Sequence, residues 1–158
     1  MKKLFVIANW MQGTGLSGSD RIFIELVKRW RSKLDIVLCL SRDGVAICQR
    51  EGLKDFKHQV WALDYLTRFG KLINLLYRSG VGIYKAFSVK VAPGDIIYSA
   101  SDFWPDSFPA FIIKRRNPRV NWIAGFYLFA PKPWQKDSPY RGKHWLTGFF
   151  YWLSQQPA

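Results

Sequence analysis

The chain has 158 residues, of which 49% are hydrophobic and 17% aromatic, and this composition excludes a disordered segment. A chain of this length forms one domain with a substantial core. It carries 24 Lys and Arg against 11 Asp and Glu, so the net charge is +13. Such a surplus predicts an anionic partner: a nucleic acid, an anionic membrane surface or a phosphorylated ligand.

The cysteine content and the apolar runs argue against a disulfide-rich, a secreted and a membrane-spanning protein. Two cysteines, Cys39 and Cys48, are too few for a disulfide framework, which favours a reducing cytosol. The apolar run 4–8 is short and no small-residue cleavage site follows it, so it predicts a buried strand rather than a signal peptide. The longest uncharged tracts, 120–131 and 145–158, are shorter than the roughly 18 apolar residues of a membrane-spanning helix.

Strand and helix patterns alternate along the chain. Short, continuously apolar strands are typical of a parallel sheet that helices cover on both faces. The sequence therefore predicts one α/β domain over 1–158, an open doubly wound, Rossmann-like parallel sheet. We predict strands at 4–8, 35–40, 58–63, 95–99 and 120–126, and helices at 19–32, 43–51, 66–89 (interrupted at 80–82), 108–116 and from about 143.

The loop after the first strand contains the most informative motif, Gly13-Thr14-Gly15-Leu16-Ser17-Gly18-Ser19-Asp20-Arg21. A glycine-rich turn that enters a helix leaves backbone N–H groups free for a phosphate or another anion. Its glycines also match G-x-G-x-x-G, the pattern of a dinucleotide site. However, four residues separate the strand from Gly13, and Arg42 rather than an acid follows the second strand. NAD(P) binding is therefore only the weakest of the alternatives.

The order of these segments resembles the N-terminal domain of GT-B glycosyltransferases of the retaining family-4 type. In that family a strand and a loop of about a dozen residues lead into a Gly-Gly-x-x-Arg-like segment. Here 16–21, Leu-Ser-Gly-Ser-Asp-Arg, occupies that position, with Ser19 for the second glycine. Segments 95–106 and 118–126 are similar to the fourth and fifth strands of that domain. Many members have a histidine after the fifth strand, where this chain has Phe126 and Tyr127.

The resemblance implies one half of a two-domain enzyme. The C-terminal domain of such enzymes holds the nucleotide-sugar donor, and the N-terminal domain receives a glycan or a lipid-linked acceptor. We therefore expect that the nucleotide-sugar domain is absent from these residues and that the chain transfers no sugar alone. On this interpretation the residues that approach the donor phosphates or the acceptor are Gly15, Gly18, Ser19, Asp20 and Arg21. A tight turn and a surface charge remain the alternative for Gly18 and Arg21.

The loops after the fourth and fifth strands lie at the same edge of the sheet as the glycine-rich loop, and we expect the acceptor cleft there. We assign to this cleft Ser101, Phe103 and Asp106, which follow the fourth strand, and Tyr127, which follows the fifth. Asp102 is the candidate catalytic residue, as a base or as a hydrogen-bond partner of an acceptor hydroxyl. Capping of the following helix is the alternative for Asp102 and Asp106.

The segment 66–89 combines apolar and aromatic residues with cations. Basic amphipathic segments of this kind lie in the plane of anionic membranes. We expect Arg68, Lys71, Arg78 and Lys85 to face such a surface, and an ordinary helix with a solvated basic face is the alternative. The sequence thus predicts a cytoplasmic protein that is peripheral at the inner face of the cell membrane.

Two further alternatives concern nucleic acids and metals. A nucleic-acid-binding module would explain the charge and the aromatic residues, but no recognised motif is present and we do not expect this partner. His58 and His144 lie far apart in the sequence, without other ligands at metal-binding spacing. We expect neither a metal nor a bound cofactor.

Overall fold

The structure of the protein is a computed structural model that describes residues 1–127 and 129–156. It contains one five-stranded sheet in which every neighbouring pair is parallel. The strands are β1 (Lys3–Ala8), β2 (Asp35–Leu40), β3 (Lys57–Val60), β4 (Ile96–Ser99) and β5 (Asn121–Ala124). The strand order is β3-β2-β1-β4-β5, which confirms the predicted Rossmann-like class. Successive strands are added on one side of β1 up to β3 and on its other side from β4 onward, so β1 and β4 form the topological switch point where ligands bind in open α/β sheets.

Helices cover both faces of the sheet because side chains alternate along the buried strands. The helices are α1 (Gly18–Trp30), α2 (Arg42–Arg50), α3 (Lys71–Ser88), α4 (Trp104–Arg116) and α5 (Trp145–Ser154), with short 3₁₀ turns at Thr67–Phe69 and Gly142–His144. In β1, Leu4 and Val6 pack in the core that includes residues of α1 and α2, whereas Phe5 and Ile7 pack in the core that includes residues of α3 and α4.

The predicted interruption of α3 at 80–82 is wrong. The helix is continuous through these glycines, and the break lies at Gly70, whose φ is +100°. Gly82 is required for packing, because a Cβ there would lie 2.6 Å from Cγ of Pro109 in α4. Helix α4 also begins at Trp104, four residues earlier than predicted, with Pro105 in its first turn, where no backbone N–H is needed.

The inward face of α3 is polar in the first half of the helix. Asn74, Arg78 and Ser79 are buried against the rest of the domain, whereas Leu72 and Leu76 are exposed. The prediction that Arg78 faces a membrane is therefore wrong: its side chain is fully buried and forms an ion pair with Asp64. The other cations of the prediction differ in exposure, since Arg68 and Lys71 are exposed and Lys85 is half-buried. Within the described ranges, no helix combines the length and the apolarity that a membrane crossing requires.

Candidate functional site

The loops that follow β1 and β4 enclose a cavity of about 380 Å³ at the carboxyl edge of the sheet. Its position is the switch point between these two strands, as the fold class predicts. Six of the predicted site residues line it together: Gly15, Ser19, Asp20, Ser101, Phe103 and Asp106. The cavity thus unites the predicted acceptor cleft with part of the predicted glycine-rich loop.

Asp106 joins the two loops at the base of this cavity. The residue lies in the first turn of α4 and is buried. Its Oδ1 accepts a hydrogen bond from the backbone N–H of Trp10 at 2.9 Å, and its Oδ2 accepts one from Oγ of Ser101 at 2.5 Å. Burial raises the pKa of Asp106 to about 7, although the bond from Ser101 opposes the shift. The carboxyl group therefore fixes the distance between the loops that form the cavity walls.

An aromatic pair forms another part of the lining. The rings of Trp10 and Phe103 stack with centroids 5.4 Å apart, and Phe103 is 41% exposed. Sequence reasoning identified Phe103 but missed Trp10. The signal that could have found it was position, since Trp10 follows β1 by two residues and parallel strands present their carboxyl ends at one edge. The pair offers an apolar stacking surface next to carboxyl groups.

The amino terminus of α1 already holds a carboxylate. Ser17 caps the helix by accepting from the backbone N–H of Asp20, while Oδ2 of Asp20 accepts from the N–H of Ser17 at 2.9 Å. This capping box places negative charge at the positive end of the helix dipole. Gly18 has open space around it and no left-handed φ, and Arg21 is exposed. Their predicted approach to donor phosphates stays a prediction.

The loop after β1 is held from behind by α3. Nη1 of Arg78 donates to the carbonyl oxygens of Asn9 and Met11 at 2.8 and 2.7 Å. Nε of Arg78 donates to Oδ1 of Asn74, whose Nδ2 donates to Oε1 of Gln12 at 2.7 Å. The planar guanidinium presents five donors in fixed directions, so it can fix several loop carbonyls at once.

Acidic side chains complete this support. Nη2 of Arg78 donates to Oδ1 of Asp64, and Oδ2 of Asp64 accepts from the backbone N–H of Asp43 at 2.8 Å. Oδ2 of Asp43 in turn accepts from the N–H of Gly13 at 2.6 Å. Sequence reasoning missed this network, because its members come from four separate segments and no spacing rule connects them.

Asp102 and Tyr127 do not line the cavity. Oδ2 of Asp102 accepts from Nε2 of Gln155 at 2.6 Å, and Oε1 of Gln155 accepts from the backbone N–H of Ala130 at 2.8 Å. The hydroxyl groups of Tyr127 and Tyr98 lie 3.0 Å apart. Asp102 therefore connects the loop after β4 with the carboxyl end of α5, and its catalytic role stays a prediction.

The cavity differs from the rest of the molecule in charge. Asp20 and Asp106 line it, whereas its described lining includes neither Lys nor Arg. Among the described residues, in the cavity or outside it, no group of three His, Cys, Asp or Glu is arranged to hold a metal ion. The arrangement can stack a flat apolar surface and accept hydrogen bonds from hydroxyl groups. Comparisons with protein-family models, with curated proteins and with solved structures found no match.

Proposed function

We propose that the protein is the acceptor-side domain of a GT-B-type glycosyltransferase and binds a glycosyl acceptor in the cavity between the loops after β1 and β4. The observation that supports this proposal is the combination of the Trp10–Phe103 stack with the carboxyl groups of Asp20 and Asp106. A sugar ring has apolar C–H faces that stack on aromatic rings and hydroxyl groups that donate to carboxylates.

The charge of the cavity supports a hydroxyl-rich ligand over an anionic one. Asp20 occupies the amino end of α1, so a diphosphate placed there would meet a carboxylate. The described lining has no cation that would offset this repulsion. In the proposed enzyme the nucleotide-sugar donor is held by a second Rossmann-like domain that faces this edge of the sheet.

A binding experiment tests the proposal directly. Saturation-transfer NMR with a panel of methyl glycosides and oligosaccharides should detect binding, and Phe103→Ala should weaken it by about tenfold, the loss expected for one stacked aromatic ring. Asp20→Asn should weaken it severalfold, because a charge-assisted hydrogen bond becomes a neutral one. The matched controls are Phe69→Ala and Asp55→Asn, which change exposed residues outside the cavity. Binding of nucleoside diphosphates instead of glycans would contradict the proposal.

We also propose that the domain associates peripherally with the anionic inner face of the cell membrane. The net charge of +13 and the exposed cations Arg68 and Lys71 support this placement. Co-sedimentation should recover the protein with vesicles of phosphatidylglycerol and phosphatidylcholine but not with phosphatidylcholine alone. Equal recovery with both vesicle types would contradict it, as would salt-dependent RNA or DNA binding without vesicle binding.

A further inference from the structure

The two faces of helix α3 differ in polarity. The first half of its inward face carries Asn74, Arg78 and Ser79, all buried, and Gly82 and Ala86 follow them toward the carboxyl end. Its outward face is apolar and spans the length of the helix. The residues of this outward face are Leu72 (66% exposed), Ile73 (49%), Leu76 (53%), Tyr84 (75%) and Phe87 (57%). A surface helix of a soluble domain normally turns its apolar side inward, so this face requires a partner.

Cations border the outward face at both ends. The guanidinium of Arg68 lies over the ring of Phe69 at 4.8 Å, just before α3 begins. At the other end, the guanidinium of Arg116 lies over the ring of Phe87 at 5.0 Å. The 18 residues of α3 include no Asp or Glu and span about 27 Å. An apolar strip with aromatic-cation pairs at its ends matches an amphipathic helix at a lipid headgroup layer.

We infer that the outward face of α3 lies in the interfacial layer of an anionic membrane, parallel to its plane. This inference rests on the proposed membrane association and identifies the surface that makes it. A second copy of the chain is a poorer occupant, because a symmetric contact would bring the cations of one copy against those of the other. An anionic leaflet supplies both the apolar layer and the negative charge that this face lacks.

The same helix contacts the cavity, which gives the docking surface a consequence for the acceptor. Nδ2 of Asn74 bonds to Gln12, a residue of the cavity lining, and Arg78 holds the carbonyls of Asn9 and Met11. The width of α3, about 10 Å, therefore separates the outward face from the residues that hold the cavity wall. An acceptor with a glycosyl head and a lipid anchor in the same leaflet fits this geometry, so the inferred acceptor class is lipid-linked.

Site-specific fluorescence tests which surface meets the lipid. Cys39 and Cys48 are buried, and burial raises the pKa of the Cys48 thiol to about 12, so a new surface cysteine would be labelled selectively. A polarity-sensitive dye on Ile73→Cys should shift to the blue when vesicles of phosphatidylglycerol and phosphatidylcholine are added. The same dye on Ile22→Cys, an equally exposed position on α1, should not shift.

A second pair of variants measures the contribution of the face. Leu76→Ser should lower vesicle affinity by about tenfold, and the matched control Ile22→Ser should leave it unchanged. If the protein sediments with vesicles but the emission of the dye at position 73 does not shift, the inference is overturned, whereas the proposed membrane association still holds. If the protein is a dimer that Leu76→Ser dissociates and that binds no vesicles, both are overturned. Glycan binding in the cavity is measured separately and does not depend on either outcome.

Discussion

Asp106 holds two loops together with a carboxyl group that burial keeps from ionising easily. The backbone N–H of Trp10 and the hydroxyl of Ser101 are its partners, and both lie in the loops that form the cavity. Two donors of hydrogen bonds do not offset the loss of water around the charge, so the pKa of Asp106 rises to about 7. The residue thus connects the geometry of the site to the pH of the solution.

This shift predicts a specific dependence of stability on pH. The folded protein retains the Asp106 proton up to about pH 7, whereas an ordinary Asp releases it near 3.8, so the folded state binds more protons between these values. The free energy of unfolding should therefore fall as the pH rises through this window, by at most about 1.4 kcal/mol per unit from this group. Urea unfolding at about pH 5 and about pH 7 should show a smaller difference for Asp106→Asn than for the wild type. The exposed Asp55→Asn should keep the wild-type difference.

Arg78 supports the cavity from the opposite side, and its burial makes it sensitive to substitution. Arg78→Met removes one partner of a buried ion pair and takes a donor from the carbonyls of Asn9 and Met11, of which that of Met11 keeps the hydroxyl of Ser41. We expect a loss of about 3 to 5 kcal/mol in the free energy of unfolding, measured by urea denaturation. Lys71→Met on the same helix should change it by less than about 0.5 kcal/mol, because Lys71 is exposed and forms no ion pair among the described contacts. If Arg78→Met left the free energy of unfolding unchanged, the expectation would be contradicted and water would have replaced the guanidinium.

At the scale of the elements, the close contact between α3 and α4 places Arg78 beneath the loop after β1. Gly82 allows this contact, since its missing Cβ leaves room for Cγ of Pro109 and the carbonyl of Pro105. The pyrrolidine ring is rigid and the carbonyl belongs to the backbone, so neither can move away easily. Gly80, two residues earlier, differs: beyond the backbone of α3 itself, no described atom comes within 4 Å of the place where its Cβ would lie.

The two glycines of α3 therefore provide a matched pair. Gly82→Ala should force α3 and α4 apart and reduce the free energy of unfolding by about 1 to 3 kcal/mol. Gly80→Ala should increase it by about 0.5 to 1 kcal/mol, because alanine has the better helix propensity and meets nothing. Thermal unfolding shows whether each variant is less or more stable than the wild type. Stabilisation by both substitutions would contradict the tight contact between α3 and α4.

The sheet was predictable from the sequence, but which side of α3 faces the rest of the domain was not. Strand β2 has the predicted bounds because its apolar residues lie between Asp35 and the polar pair Ser41-Arg42, and the doubly wound arrangement agrees with right-handed crossovers. Hydrophobic periodicity also predicted a helix over 66–89, but periodicity alone does not say which side of a helix faces the sheet. The placement of Arg78 could not be predicted, since its partners are Asp64 and loop carbonyls that only the folded chain brings together. Trp10, in contrast, could have been predicted from its position two residues after β1.

At the scale of the whole molecule, the two ends of three helices differ in charge. Acids lie in the first turns of α1, α2 and α4, at the carboxyl edge of the sheet, and cations fill the last turns of the same helices. This division complements the helix dipoles. The chain combines a net charge of +13 with a cavity at the carboxyl edge whose described lining contains two acids and neither Lys nor Arg. The acids at or near that edge are Asp20, Asp43, Asp64, Asp102 and Asp106.

This division predicts that salt separates the two proposed activities. Raising NaCl from about 0.05 M to about 0.5 M shortens the Debye length severalfold, so binding to phosphatidylglycerol vesicles should weaken by about tenfold. Glycan binding in the cavity should change by less than about twofold, because a neutral ligand gains nothing from long-range charge. Co-sedimentation and saturation-transfer NMR on the same protein preparation measure both. A parallel loss of both activities would contradict this separation, because the binding of neutral glycosides would then depend on long-range charge and not on the stacking and hydrogen bonds assigned to the cavity.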